Sequence, residues 1–397
     1  MRVVILSAVI VVSSTAFTAT PLSPRQEKVL SSALSSRREF LTSAATSASA
    51  AVVWLPISAV VATTNTVPVP TLNLPEMGLG AWAWGDSLFW GYNPKEDDEL
   101  HKVFDYAVLN NKSSQKVLFD TAELYGLGRS ESLLGEFSKN VADQVQIASK
   151  FAPLPFYTKA ADVVKHCEAS VKRIGRPIDL YQIHFPNAWS NTEYWDGLAQ
   201  CYEKGLVKAV GVSNYGVEAM TACHGVLAKR GIPLATNQIQ YSLLYQWPEQ
   251  NGLLQACKDL NVQVLAYSPL ALGMLTGKYN QNKMPTGPRK SIFQQLLSTP
   301  DYQNLLETMQ QVTTHHPGST LSQVAINWTR SKGTIPIPGA RTINQVEQNY
   351  GALDWSMSLQ EMTMLDNAAK KVTTFLTPDK SPMVKEDINT HMRMMDS

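Results

Sequence analysis

Val117-Leu118-Phe119-Asp120-Thr121-Ala122-Glu123-Leu124-Tyr125-Gly126 runs from three apolar residues to a carboxylate, and then through a short turn to a phenol and a glycine. An apolar run of strand length that ends in a charge suits a strand buried on both faces, with its reactive group at the C-terminal end. The same design returns in Val264-Leu265-Ala266-Tyr267-Ser268. Working outward, short β-branched runs alternate with longer amphipathic stretches from about residue 67 to about residue 377, the pattern of βαβ units around a parallel sheet. Strands are expected at 76–80, 117–120, 145–150, 178–184, 208–212, 235–240, 262–268 and 334–337. Helical segments at 160–173, 194–204, 217–229, 252–260 and 321–332 lie between them. Eight such units predict an α/β protein folded as a (β/α)8 TIM barrel, with an open doubly wound sheet as the alternative. In the barrel the polar endings Asp120, Lys150, His184, Ser213-Asn214, Gln238 and Tyr267-Ser268 converge on one rim.

The 397 residues carry 34 Lys and Arg against 33 Asp and Glu, so no basic surplus exists to neutralise a nucleic acid backbone. The composition is 44% hydrophobic, enough for one large core. Cys167, Cys201, Cys223 and Cys257 form no C-x-x-C pair and no Cys/His cluster, which points to small apolar residues and predicts neither a disulfide framework nor a metal site. His315-His316 beside Pro317 reads as a turn, so a metal-dependent hydrolase is a poor fit.

Residues 1–66 read as a targeting presequence. Arg2, the apolar run 3–12 and the small residues 13–16 have the layout of a secretory signal, and 18–36 has a transit-peptide composition. The Ala16-Phe17 junction resembles two-part leaders of proteins sent to plastids bounded by extra membranes. Ser36-Arg37-Arg38-Glu39-Phe40-Leu41 matches a twin-arginine export signal. A plastid address follows: the stroma, or the thylakoid lumen if the twin-arginine segment is used. The organisation expected is therefore 1–66 presequence, 67–377 barrel and 378–397 flexible tail, with no stable membrane span in the mature protein.

Hydride addition to a carbonyl creates an alkoxide, which needs a proton donor or strong hydrogen bond aimed at the oxygen. Tyr125 can donate if a nearby cation lowers its pKa, and Lys150, one strand over, is that cation. Asp120 would hold the buried ammonium, and His184 would orient the carbonyl. An isolated Asp or Lys at a strand end is usually a structural ion pair. Gathered with a Tyr and a His at one rim, the set reads as a catalytic site.

In their order, 119–126, Ser149-Lys150 and Asp179-Leu180-Tyr181-Gln182-Ile183-His184 resemble the Asp, Tyr, Lys and His tetrad of the aldo-keto reductases. Gly211-Val212-Ser213-Asn214-Tyr215 and Asn237-Gln238 are similar to that family's nicotinamide carboxamide contacts. Tyr267-Ser268-Pro269-Leu270 resembles its stacking tyrosine and phosphate loop. The resemblance spans the whole barrel and implies NADPH-dependent reduction of aldehydes or ketones to alcohols, with Tyr125 as general acid. It also implies a small-molecule carbonyl substrate. The alternative from another class is a cofactor-binding regulatory barrel with little turnover.

For the cofactor, Gly339-Ala340-Arg341-Thr342 offers close approach, free N–H groups and a guanidinium for a 2′-phosphate, which favours NADPH over NADH. Gln345, Gln348 and Asn349 on the next helix can face the adenine; the family commonly has Glu where Gln348 stands. Leu270, Gly273, Met274, Thr276, Gly277 and Lys278 look like the segment over the pyrophosphate. Gly80, Ala81 and Trp82 would lie against the ribose and the pocket, and Trp90, Phe151, Phe185 and Trp189 would complete an apolar wall.

Overall fold

The computed structural model describes residues 72–187, 190–285 and 289–372. The presequence, residues 67–71 and the tail at 378–397 lie outside them, as does Trp189. Eight strands form one parallel sheet in sequential order: β1 Gly78–Gly80, β2 Val117–Asp120, β3 Val145–Phe151, β4 Leu180–Ile183, β5 Val210–Ser213, β6 Leu234–Gln240, β7 Gln263–Tyr267 and β8 Ile335–Ile337. The sheet closes through a parallel bridge between Gly80 and Gly339 and a hydrogen bond from Gly80 N–H to Pro338 O at 3.0 Å. This is the (β/α)8 barrel.

Alternation along the strands sorts their side chains. Leu118, Ala148, Leu180, Ala209, Ala235, Leu265, Ile335 and Ile337 fill the barrel interior. Residues between them, such as Phe119, Ile147, Tyr181 and Val212, point outward into the larger core under the helices. At about 25 cal/mol per Å2 of apolar surface removed from water, these two layers dominate the stabilisation.

Each of the eight expected strands is present, shifted by a residue or two where the chain leaves the ladder; β1 is reduced to three residues and His184 and Ser268 fall just beyond β4 and β7. Such ends are where pairing is weakest. The expected helices appear as Ala160–Ile174, Asn191–Glu203, Val217–Ala228, Leu253–Asp259 and Leu321–Ser331. The helix expected to carry Gln345, Gln348 and Asn349 is Ile343–Gly351, and the chain further forms Asp97–Leu109, Arg129–Phe137, Pro300–His315 and Leu359–Ala369. After β7, where only a long loop was expected around 281–289, the chain also forms a 3-10 turn at Ala271–Thr276 and a helix at Arg289–Leu297. Among the described residues no helix is long and apolar enough to cross a membrane, and no group of three His, Cys, Asp or Glu is arranged to hold a metal ion. All four cysteines are buried and free.

Candidate active site

Lys150, the sixth residue of β3, points into the barrel and is fully buried. Its Nζ donates to Asp120 Oδ1 at 2.6 Å and to Thr121 O at 2.8 Å, and reaches Tyr125 OH at 3.4 Å. A buried ammonium is tolerable only with such a partner set. Burial pulls its pKa down, while the Asp120 carboxylate pulls it back up. Asp120 is itself shared: its Oδ2 accepts from Gln238 Nε2 at 2.6 Å, so β6 reaches across the interior to orient the carboxylate.

Tyr125 opens a tight turn in which Gly126, Leu127 and Gly128 all have positive φ. Gly126 is required there: a Cβ would fall 2.2 Å from Gly85 O, so the backbones of two rim loops touch. The Tyr125 ring meets His184 edge-on at 5.8 Å. The expectation that Lys150 lowers the Tyr125 pKa is corrected here. Burial, then the Asp120 charge, hold the phenol well above its usual value, because enclosure and a neighbouring negative charge both penalise phenolate. Tyr125 is accordingly protonated at neutral pH, the state a proton donor requires. His184 is pushed well below 6.5 by burial and by the Lys150 charge, so it is a neutral imidazole; its Nδ1 is buried with no partner.

Beside this group, Asn214 (φ 62) donates Nδ2 to His184 O at 3.0 Å and to Ser213 Oγ at 3.2 Å, while its Oδ1 accepts from Tyr267 OH at 2.9 Å. Ser213, Asn214, Gln238 and Tyr267 thus form one polar floor next to Tyr125 and Lys150. The loop after β7 is strained: Ser268, Ala271 and Leu272 have positive φ, as does Gly273. Conformations that non-glycine residues avoid persist where surrounding structure imposes them, and such sites are often functional.

At the opposite edge, Arg341 extends over the β1 loop. Its Nη1 donates to Trp90 O at 2.9 Å and its Nη2 pairs with Glu96 Oε2 at 2.5 Å. The guanidinium therefore already holds an anion from the chain itself, which sequence reasoning did not anticipate. Arg289 was also missed: its guanidinium stacks on Trp90 at 4.8 Å, and its Nη1 reaches Leu272 O at 3.4 Å. No motif flags a single arginine after a loop of variable length.

Several expected contacts are rearranged. Gln345 is exposed and turns its Oε1 back to Arg341 N–H at 2.6 Å, tightening the loop instead of facing a ligand. Asn349 is buried against Gly339 O at 3.4 Å. Gln348 keeps a buried Oε1 without a partner. Lys278 is exposed over the Tyr279 ring at 5.6 Å. Phe151 is not part of a pocket wall: it is the outward-facing last residue of β3, packed on Tyr157, His166 and Tyr194. Trp82 does stand beside Tyr125, stacked at 6.0 Å, and also stacks on Phe89 at 4.9 Å with Trp90 edge-on at 5.4 Å. Asp86, buried and receiving Trp82 Nε1 at 2.8 Å, fixes that ring. Phe185 adjoins His184 at 5.7 Å.

With this geometry in place, comparison with known proteins is informative. The sequence model of the aldo/keto reductase family matches residues 76–370. A protein described as pyridoxal reductase, chloroplastic, from Arabidopsis thaliana is 42% identical over 324 residues, covering 77% of this chain and 86% of its own length. An aldo-keto reductase from Klebsiella pneumoniae, solved in complex with NADPH, superposes with a TM-score of 0.58 at 25% identity, covering 74% of this chain and 90% of that one. A glycerol dehydrogenase from Gluconobacter oxydans gives a TM-score of 0.64 at 25% identity, over 77% and 95%.

Proposed function

This chain belongs to the aldo/keto reductase family, which makes it an NADP-dependent oxidoreductase of carbonyl groups, and we propose that Tyr125 protonates the nascent alkoxide. The observation that carries this is the Lys150 ammonium, buried and bonded at once to Asp120 and Tyr125. A neutral phenol next to a fixed positive charge can give up its proton as negative charge grows on the substrate oxygen. Asp120 keeps the ammonium aimed at the phenol, and neutral His184 offers an N–H to the same oxygen. Gln238, by orienting Asp120, belongs to this proton-donating assembly as much as to the polar floor.

NADPH, when bound, supplies the hydride. The residues present fit it. The strained loop at Ser268 to Gly273, which contains Leu270, would lie against the pyrophosphate, with the Arg289 guanidinium bonded to Leu272 O beside it. Ser213, Asn214 and Gln238 would take the carboxamide, with Tyr267 under the ring. Gly80, Ala81 and Trp82 line the strand beside it, and Gly339 leaves room for close approach. Arg341 would take the 2′-phosphate in exchange with Glu96. The orphaned Gln348 Oε1 would accept from the adenine amino group, as burial without a partner otherwise costs about 1–3 kcal/mol. Gly273 and Lys278 complete the loop, the lysine only from its exposed position.

The stack of Phe89, Trp82 and Tyr125 suits a flat aromatic aldehyde, and pyridoxal, named in the Arabidopsis relative, is the first such substrate to try. The chloroplastic relative also supports a plastid address for the 1–66 presequence, ahead of a 67–377 barrel and a 378–397 tail. The test is steady-state NADPH oxidation by the full chain against a carbonyl panel that includes pyridoxal. Turnover of at least one aldehyde is expected, with Tyr125→Phe slower by about 10^2 to 10^4 fold and NADPH affinity nearly unchanged. Wild-type rates in that variant would refute the role of Tyr125. NADPH binding with no turnover on any carbonyl would identify a regulatory barrel instead.

A further inference from the structure

We infer that Glu123 is a positioning residue that sets the contact between Tyr125 and Lys150, with His166 as its partner; this rests on the reading of that pair as the proton-donating group. Glu123 sits in the turn between Asp120 and Tyr125. Its Oε1 accepts from Ala152 N–H at 2.6 Å, and its own N–H donates to Lys150 O at 3.4 Å. One residue of the tyrosine loop thus grips the lysine strand at two points, the carbonyl of Lys150 itself and the N–H of Ala152 two residues on.

The other carboxylate oxygen, Oε2, meets His166 Nδ1 at 2.6 Å. An ionised carboxylate only accepts, so the hydrogen of this bond belongs to His166. The Glu123 side chain is 10% exposed and that of His166 20%, so neither group is free to relax into water. His166, on the helix Ala160–Ile174, is in turn held by ring contacts with Tyr157 at 4.3 Å and Phe151 at 5.5 Å. The clamp is therefore anchored in packed core and not in a loop.

At the far end of the same turn Gly126 is wedged against Gly85 O. Tyr125 lies between a fixed clamp and a fixed backbone contact, with little freedom of its own. Its separation from Lys150 Nζ, 3.4 Å, is at the long limit of a hydrogen bond, where a small displacement breaks the contact. A side chain that ties the two backbones together consequently governs the rate of proton donation without touching substrate or cofactor. A purely structural role would instead lower stability and leave the rate of the folded enzyme alone.

The experiment measures kcat, KM and NADPH dissociation for full-length wild type, Glu123→Ala and Glu123→Gln. The alanine variant is expected to lose about a hundredfold in kcat, with carbonyl KM and NADPH affinity within about twofold of wild type. The glutamine variant, which keeps an acceptor for Ala152 N–H and a polar partner for His166, is expected to recover most of that loss. Should the alanine variant not fold, Glu123→Asp, one methylene shorter, is read the same way, with a kcat loss and unchanged affinity. Wild-type kcat in the folded alanine or aspartate variant would overturn the inference. So would a parallel loss of kcat and NADPH affinity that glutamine does not rescue. A wild type inactive on every carbonyl would overturn the underlying reading itself, a result distinct from either of these.

Discussion

Tyr125, Lys150 and Asp120 illustrate how burial and charge divide the work at the residue scale. Enclosure raises the phenol's pKa and lowers the ammonium's, while Asp120 restores the ammonium and adds to the rise at Tyr125. The outcome is a neutral phenol beside a buried ammonium, the arrangement on which the proposed proton donation rests. Arg341 poses the opposite case, a cation with an anion already in place. A phosphate at that guanidinium must share or displace Glu96, so Glu96→Gln should tighten NADPH while leaving NADH unchanged, and Arg341→Ala should weaken NADPH by about tenfold or more with little effect on NADH. Titration of both variants with both cofactors decides the matter; equal shifts for NADPH and NADH would contradict a 2′-phosphate clamp.

Among the elements, the helix Leu359–Ala369 shows how a local cap can carry a pH dependence. Ser358 and Glu361 form a capping box, and Glu361 also receives His315 Nδ1 at 3.1 Å and His316 Nε2 at 2.9 Å from the end of Pro300–His315. Burial raises the Glu361 pKa, but the hydrogen bonds from Ser358 and both histidines outweigh it and bring the value down to about 2. A carboxyl whose folded pKa is depressed contributes stability that is complete above its ordinary value of 4.5 and fades as pH falls toward 2. Glu361→Gln should therefore lower Tm at neutral pH, and the gap to wild type should narrow as pH drops from about 4.5 toward 2. A gap that stays constant in thermal melts across that range would argue against the linkage. The His315-His316 pair, expected only as a turn, acquires this role because Leu359–Ala369 packs beside it, a contact that no local pattern announces.

For the whole molecule, the barrel closes through Gly80 and Gly339 within the described residues, and every strand has both neighbours. Among the described residues the buried core clusters run from Met77 to Ala369. Protein starting at Val67 should thus fold with the same Tm, within about 2 °C, and the same kcat as a longer form, while 1–66 fused to a fluorescent reporter should deliver it to the plastid. Loss of folding on trimming, or a reporter that stays in the cytosol, would contradict this division of the chain.

Much of this architecture could be read from the amino-acid order because a parallel strand buried on both faces leaves an unambiguous mark: an apolar run that stops at a polar residue. Eight such marks predicted eight strands, and their endings placed Asp120, Lys150 and Gln238 within one interior. The helix Asp97–Leu109 was not placed, since its charged face blurs the 3.6-residue period. Phe151 was placed on the wrong face because a one-residue uncertainty at a strand end inverts the direction of a side chain. The sequence by itself therefore determined the barrel and the family, both of which depend on residue type and order. Only the tertiary structure decided that Glu96 occupies Arg341, that Gln238 holds Asp120 and that Glu123 ties Tyr125 to Lys150. Those are distances between groups far apart in the chain, set by how strands and loops meet, and a linear pattern does not encode distance.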